Sequence, residues 1–255
     1  MDELSRLVQN ARSLLRDGYY NVAEAASRAP SFLESLGTPD QPSDVIAEIK
    51  FASPTMPAGL PAERFQQMLK IYADAKPLGL SILAEPNVFR GSLDFVRQAA
   101  ATGLPVLFKD IVVDPRQVEA AAACGASAVL VIQTLATRHL MAASPQRLID
   151  IAHDLDLDVV VEVHTLKDLD EALRTDGDIL GINRRDLSTM EIDAGTASAL
   201  LSARPKDRPV IAMSGIERRE QVDAMLRAGA DAVLVGTSVM TDADPGRKLQ
   251  ELLHG

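Results

Sequence analysis

A chain of 255 residues with 47% hydrophobic and 24% charged side chains has ample material for a core, as two small domains or one large α/β barrel. Its net charge of −10 argues against nucleic acid or an anionic membrane as the main partner, because both require a basic face. A small anionic substrate is compatible with that balance, since local Lys and Arg can outweigh the global sign.

The chain opens Met-Asp-Glu-Leu-Ser-Arg, without the apolar core of a signal peptide. No later run approaches the roughly 18 apolar residues of a membrane span, so a cytoplasmic protein is expected. Leu4, Leu7, Val8, Ala11, Leu14 and Leu15 recur at helical spacing and predict an amphipathic helix that stops near Gly18. A second helical piece is expected over residues 21–29, a third over 31–36, and a loop with two prolines over 37–43. Residues 1–43 therefore read as a helical extension, with no catalytic feature and an apolar stripe suited to covering a barrel mouth or floor.

From Val45 onward one rhythm holds, with units of roughly 20 to 30 residues. Apolar strands are expected at 45–50, 78–84, 105–109, 128–133, 158–163, 179–183, 209–213 and 232–236. Helical patterns fall between them at 61–75, 92–102, 115–123, 145–155, 166–175, 195–203, 218–228 and 244–253. Near-continuous apolar strands alternating with helices mean a parallel sheet covered on its outer face. Eight units without a glycine fingerprint at the first turn fit a closed (β/α)₈ TIM barrel over 44–255 better than an open doubly wound sheet. Cys124, the lone cysteine, ends an apolar helix in Ala-Ala-Ala-Cys-Gly. It reads as packing, excludes an internal disulfide and fits a reducing compartment.

In such a barrel the site lies at the C-terminal ends of the strands. Strand 1 carries Glu48 and Lys50, which share a face with Ile46, and breaks at Ser53-Pro54. Strand 2 contributes Ser81 and Glu85, strand 3 Lys109-Asp110, strand 5 Glu162 and His164, and strand 6 Asn183, Arg185 and Asp186. Lys109 and Lys50 beside Glu48 and Glu162 form an acid–base set. A crowded or desolvated lysine has a lowered pKa and donates a proton near neutrality, and a glutamate between lysines stays ionised. Either lysine could also form a Schiff base with a carbonyl substrate. The bland alternative is a set of salt bridges closing the barrel end. Ser214-Gly215 and Gly236-Thr237-Ser238 end strands 7 and 8, where small residues expose backbone N–H groups to a phosphate. His164 is expected to hydrogen-bond a loop, while His139, His153 and His254 read as surface. No Cys/His cluster has metal-ligand spacing and no nucleotide loop is present, so neither metal nor cofactor is expected.

Ile-Ala-Glu-Ile-Lys-x-Ala-Ser-Pro, Phe-Lys-Asp, Val-Glu-Val-His, Gly-Ile-Asn-x-Arg-Asp-Leu, Ser-Gly-Ile and Val-Gly-Thr-Ser together resemble the indole-3-glycerol phosphate synthase family, in order and spacing over 45–240. The resemblance implies a lyase of tryptophan biosynthesis. It would close the indole ring of 1-(2-carboxyphenylamino)-1-deoxyribulose 5-phosphate with loss of carbon dioxide and water, without a cofactor. By position, Lys109 would be the general acid on the ribulose carbonyl, and Lys50 would contact the substrate carboxylate and assist dehydration. Glu162 would accept a proton, and Glu48 would orient the lysines. Asn183, Ser53 and Ser214 would hold the anthranilate part and the hydroxyls, with Phe89 packed on the ring. Arg185, Gly215, Gly236 and Thr237 would surround the sugar and phosphate. The small phosphorylated substrate is then the partner, and the chain a monomer or weak homo-oligomer.

Three positions depart from the family pattern. Met213 stands where the family usually has Glu before Ser-Gly-Ile. The loop after strand 1 reads Ser53-Pro-Thr-Met-Pro-Ala-Gly59 in place of Ser-Pro-Ser-Lys-Gly, and Leu83-Ala84 replaces Leu-Thr. Alternatives are therefore a paralogous lyase or cyclase acting on another phosphorylated aryl or sugar compound, or a non-catalytic binder of phosphorylated ligands.

Overall fold

The computed structural model describes residues 2–36, 41, 43–56, 58–193, 195–203 and 207–255. The elements begin with α1 (Glu3–Arg16), β1 (Val45–Ile49), α2 (Phe65–Ala75), β2 (Gly79–Leu83), α3 (Leu93–Ala100) and β3 (Val106–Lys109). They continue with α4 (Pro115–Ala123), β4 (Ala128–Ile132), α5 (Gln133–Thr137), α6 (Pro145–Asp154), β5 (Asp158–Val163) and α7 (Leu166–Ala172). The last are β6 (Ile179–Asn183), α8 (Thr196–Ala203), β7 (Val210–Met213), α9 (Arg219–Arg227), β8 (Ala232–Val235), α10 (Thr237–Met240) and α11 (Pro245–His254). The strands pair in sequence order, all parallel, and β1 closes on β8. This is the expected (β/α)₈ barrel with an N-terminal helix.

Strands buried on both faces have no polar alternation to show, which is why β1, β2 and β4 read as continuous apolar runs. Register carries the exceptions to one level near the mouth, setting Glu48 beside Ser81, Glu162 beside Gly181 and Asn183 beside Met213. Helix starts are sharply defined. Asp114, Ser144 and Asp244 each precede a proline at the head of α4, α6 and α11 and accept from a backbone N–H one turn on. A cap of this kind stabilises a helix by about 1 kcal/mol. The short α5 and α10 follow β4 and β8 directly and were absent from the periodicity, since helices of five and four residues carry no repeat. Among the described residues no helix is long and apolar enough to cross a membrane.

The N-terminal extension covers both ends of the barrel. In α1 the six apolar residues Leu4, Leu7, Val8, Ala11, Leu14 and Leu15 are buried, and Leu7 lines the mouth itself. Burying each large side chain contributes about 1.5–3 kcal/mol, so Leu7→Asp would weaken the docking of this helix by at least that amount. Residues 21–29 are not helical. Their N–H groups are drawn to a neighbour instead: Ala26 and Ala29 donate to the carbonyls of Ala123 and Gly125 at the C-terminal end of α4. Those carbonyls lack intrahelical donors, and satisfying them outweighs the local alanine propensity. Residues 31–36 form turns rather than a third helix, because Ser31 and the N–H groups of Phe32 and Leu33 all bond the Asp158 carboxylate at the head of β5. Phe32 then seats on the barrel floor, where a Cβ on Gly79 would come within 2.9 Å of its ring. Of the expected 37–43 loop, residues 37–40 and 42 lie outside the described residues. Cys124 is buried at the end of α4, and burial pushes its thiol up.

Candidate active site

Glu48 is the centre of the mouth. It projects inward from β1, and Lys50, two residues on, turns its Nζ to within 2.7 Å of Glu48 Oε1. Lys109, from the end of β3, brings its Nζ to 3.7 Å from Oε2, to which Ser81 Oγ donates at 3.4 Å. A Cβ on Gly236 would stand 2.7 Å from Glu48 Oε1, so the small residue at the end of β8 is what leaves the carboxylate its place.

Across the mouth a chain of side chains descends from β6 and β7. Ser214 Oγ donates to Asn183 Oδ1 at 2.8 Å, the Arg185 backbone N–H donates to the same oxygen at 3.0 Å, and Asn183 Nδ2 donates to Glu162 Oε1 at 3.0 Å. The amide orientation of Asn183 follows from those donors. Glu162 Oε2 is buried and has no hydrogen-bond partner among the described residues. A buried carboxylate oxygen without a hydrogen-bond partner costs free energy, so this one has an unmet demand for a donor.

The charges decide what these groups can do. Burial alone would raise the Glu48 pKa, but attraction to Lys50 and Lys109 and hydrogen bonds from Lys50 and Ser81 hold it below the ordinary carboxylate value. Burial likewise opposes the Lys109 charge, yet Glu48 first and Glu162 second raise its pKa above that of an ordinary lysine. The expectation of a lowered lysine pKa is thereby corrected for Lys109: two carboxylates face it, and they outweigh desolvation. Facing those two carboxylates, it is placed as a proton donor.

All twelve candidates from the sequence line one cleft: Glu48, Lys50, Lys109 and Glu162 with Ser53, Phe89, Asn183, Arg185 and Ser214, and Gly215, Gly236 and Thr237 at one end. Arg185 is half-buried and donates through Nη1 to the Met190 carbonyl at 2.7 Å, and burial pushes its pKa down. Ser214 and Gly215 both have φ of +70°, a left-handed turn that is strained at the serine. Glu85, His164 and Asp186 do not line the cleft, and Asp186 lies 3.9 Å from His164 Nε2. Glu85 accepts from Asn10 and from the N–H groups of Asn87, Val88 and Phe89 at 2.6–2.8 Å, so it holds the loop that carries Phe89. His164 bonds the Asn183 carbonyl through Nδ1 at 2.8 Å, so its partner is the end of β6 and not the loop expected for it.

Sequence reasoning missed the apolar wall made by Leu7, Leu187, Met190 and Ile192. Leu7 belongs to a helical stripe that reads only as docking surface. Ile192 is brought in by the Arg185–Ile192 bridge, which no short-range signal announces. Met213 is buried, lines the cleft and lies over Gly181, where a Cβ would meet its Cε at 2.3 Å. Among the described residues no group of three His, Cys, Asp or Glu side chains could hold a metal ion.

A family profile described as indole-3-glycerol phosphate synthase matches residues 6–252. Three curated proteins of that name are among the relatives. The one from Delftia acidovorans is 41% identical over 216 residues, covering 82% of this chain and 79% of its own. The Thermococcus kodakarensis protein is 38% identical over 214 residues, covering 82% and 92%. The Mycobacterium ulcerans protein is 34% identical over 238 residues, covering 92% and 86%. Among solved structures, a thiamine phosphate pyrophosphorylase from Pyrococcus furiosus superposes with a TM-score of 0.57 at 15% identity, covering 82% of this chain and 92% of its own. That likeness concerns the barrel alone.

Proposed function

Because this chain belongs to the indole-3-glycerol phosphate synthase family, we propose that the charged cluster at its barrel mouth carries the family's ring closure, with the residues in the following roles. The enzyme is a carboxy-lyase of tryptophan biosynthesis that acts on a small phosphorylated substrate, 1-(2-carboxyphenylamino)-1-deoxyribulose 5-phosphate. It forms a bond between the aryl carbon bearing the carboxylate and the ribulose carbonyl carbon, then releases carbon dioxide and water.

Lys109 donates to the ribulose carbonyl oxygen: as the new carbon–carbon bond forms, the carbonyl π pair moves onto oxygen and takes up the Lys109 proton, leaving a hydroxyl. Glu48 draws Lys109 into place and holds Lys50, which pairs with the substrate carboxylate until it departs as carbon dioxide. Rearomatisation follows from the electron pair that decarboxylation leaves in the ring. Dehydration then needs one proton removed beside nitrogen and one delivered to the departing hydroxyl. Glu162, with its unengaged Oε2, takes the first, and Lys50 supplies the second. Asn183, Ser214 and Ser53 fix the anthranilate part and the hydroxyls, Phe89 covers the ring, and Arg185 with Gly215, Gly236 and Thr237 takes the sugar phosphate. A general acid so placed contributes about 10²–10⁴ in rate.

The observation that carries these roles is the convergence of Lys50 and Lys109, from different strands, on one buried carboxylate. The test is the appearance of indole fluorescence when the phosphorylated substrate is added to the purified protein. No fluorescence at high enzyme concentration would sink the assignment. Retained turnover in Lys109→Ala would sink the role given to that residue.

A further inference from the structure

Beneath the Ser214-Gly215 turn lies a cation that the mechanism does not use. Arg184 follows Asn183 at the end of β6, is 5% exposed, and does not line the cleft. Its Nε is buried without a hydrogen-bond partner, and its Nη1 reaches the carbonyl oxygens of Ser214 at 3.4 Å and Gly215 at 3.5 Å. Burial pushes its pKa down, opposed by the field of Asp193, but a guanidinium stays charged in a protein. Keeping such a charge out of water is costly unless it is used.

Its grip on the turn has a geometric consequence. In a trans peptide the carbonyl and the amide hydrogen point to opposite sides, and among the described residues no peptide is cis. Pulling the carbonyls of Ser214 and Gly215 toward Arg184 therefore turns the N–H groups of Gly215 and Ile216 away from it, to the side of the cleft that both residues line. Gln221 Nε2 adds a donor to the Gly215 carbonyl at 3.5 Å, and Ser238 Oγ donates to the Ile216 carbonyl at 2.9 Å, tying β8 into the same arrangement. Neither the Gly215 nor the Ile216 N–H bonds another group among the described residues. Two adjacent amides on one side of a left-handed turn form a concavity suited to an anion.

We propose that Arg184 is a positioning residue for the substrate phosphate: from behind the turn it aims the amides of Gly215 and Ile216 at the anion and adds its own buried charge to their field. This rests on reading the ends of β7 and β8 as the phosphate handle, and it assigns that handle a cation which never touches the ligand.

The experiment compares wild type, Arg184→Met and Arg184→Lys on the phosphorylated substrate and on its dephosphorylated analogue, with inorganic phosphate as competitive inhibitor. In Arg184→Met, KM for the phosphorylated substrate and Ki for phosphate should both rise about tenfold, the effect of losing one charge-assisted interaction, while kcat changes less than about threefold. Arg184→Lys should recover part of the loss. On the dephosphorylated analogue the deficit in kcat/KM should shrink below about twofold, because the lost interaction is with the phosphate alone. Equal deficits on both substrates would reduce Arg184 to a structural residue and overturn the proposal. If phosphate competes equally well against wild type and Arg184→Met, the proposal also fails, although the handle stands. If phosphate does not compete even against wild type, the handle reading itself is wrong. Should Arg184→Met not fold, Arg184→Gln carries the same comparison with a neutral side chain that still donates to the carbonyls.

Discussion

At the barrel floor, Asp158 accepts from the N–H groups of Phe32 and Leu33 at 2.8–2.9 Å, Asp178 from Val159 at 2.7 Å and Asp231 from Val210 at 2.8 Å. At the mouth, Glu48 faces two ammonium groups and Glu162 one side-chain amide. Both ends use carboxylates beside strand termini, and the difference is the donor. A backbone N–H is fixed by the fold, so an acid bound to it is part of the scaffold. A lysine on a flexible stem can exchange its carboxylate for a substrate group, so an acid bound to it is part of the chemistry. Glu85 sits at the mouth in the chain, yet three backbone amides hold it. By its donors it belongs with the floor acids.

The strongest way to break this division is at Lys109. Lys109→Gln should lower kcat by about 10²–10⁴ through loss of the general acid. Folding should be affected far less, because Glu48 keeps its 2.7 Å contact with Lys50. Rapid-quench turnover and urea unfolding on the same preparation measure both, and a stability loss as large as the rate loss would return the cluster to a structural ion-pair network.

Asp110 tests the intermediate case, an acid at the mouth bound partly by the backbone. Burial pushes its pKa up to about 7, against hydrogen bonds from the Ile111 N–H and Tyr20 OH that lower it. In the unfolded chain the same group titrates near the ordinary value of about 3.9, so folding takes up a proton between those limits. The stabilisation is complete below pH ~4 and is lost as pH rises through 7. Relative to Asp110→Asn, which cannot titrate, the wild type should lose about 2–4 kcal/mol of stability between pH 4 and 7. Urea midpoints across that range would show it, and parallel curves would mean the carboxyl is ionised throughout.

Much of this was legible before coordinates, and the reason is the strand period. Glu48 and Lys50 had to share a face, and burial of charge in an apolar strand marks a site whatever the surrounding helices do. Strand ends were readable to within a residue or two for the same reason. Partner choice was not legible. That Ala26 and Ala29 would leave a helix to cap α4 depends on a surface more than 90 residues away. The raised pKa of Lys109 depends on carboxylates from two other strands. Arg184 carried no signal beside Arg185, since adjacent arginines differ only in which side of the turn receives them.

The floor acids should behave in the opposite way to Lys109. Asp158→Ala leaves the N–H groups of Phe32 and Leu33 without their acceptor, and a buried unsatisfied donor costs about 1–3 kcal/mol. The loss should appear in the unfolding midpoint while turnover per folded molecule stays within about twofold of wild type. A larger fall in kcat would mean that the floor and the mouth are coupled through β5.

Met213 sharpens the comparison from the other side, because it is an apolar group at the level where the mouth acids stand. Its neighbours are Asn183 across the β6 pairing and Gly181 beneath its Cε, and it is 1% exposed. Met213→Glu would bury a third carboxylate among Glu48 and Glu162 with the same two lysines to answer it. The scaffold should therefore lose about 1–3 kcal/mol, the cost of burying an incompletely paired polar group. The chemistry should gain, since a second acceptor near Glu162 doubles the bases positioned for the dehydration proton, and an increase in kcat of about five- to tenfold is expected. Stability and rate moving in opposite directions is the signature of a functional carboxylate, the reverse of what a floor acid does. If both fall together, the thioether already serves the site as a wall for the aryl ring, and the mouth of this enzyme works with one carboxylate fewer by construction.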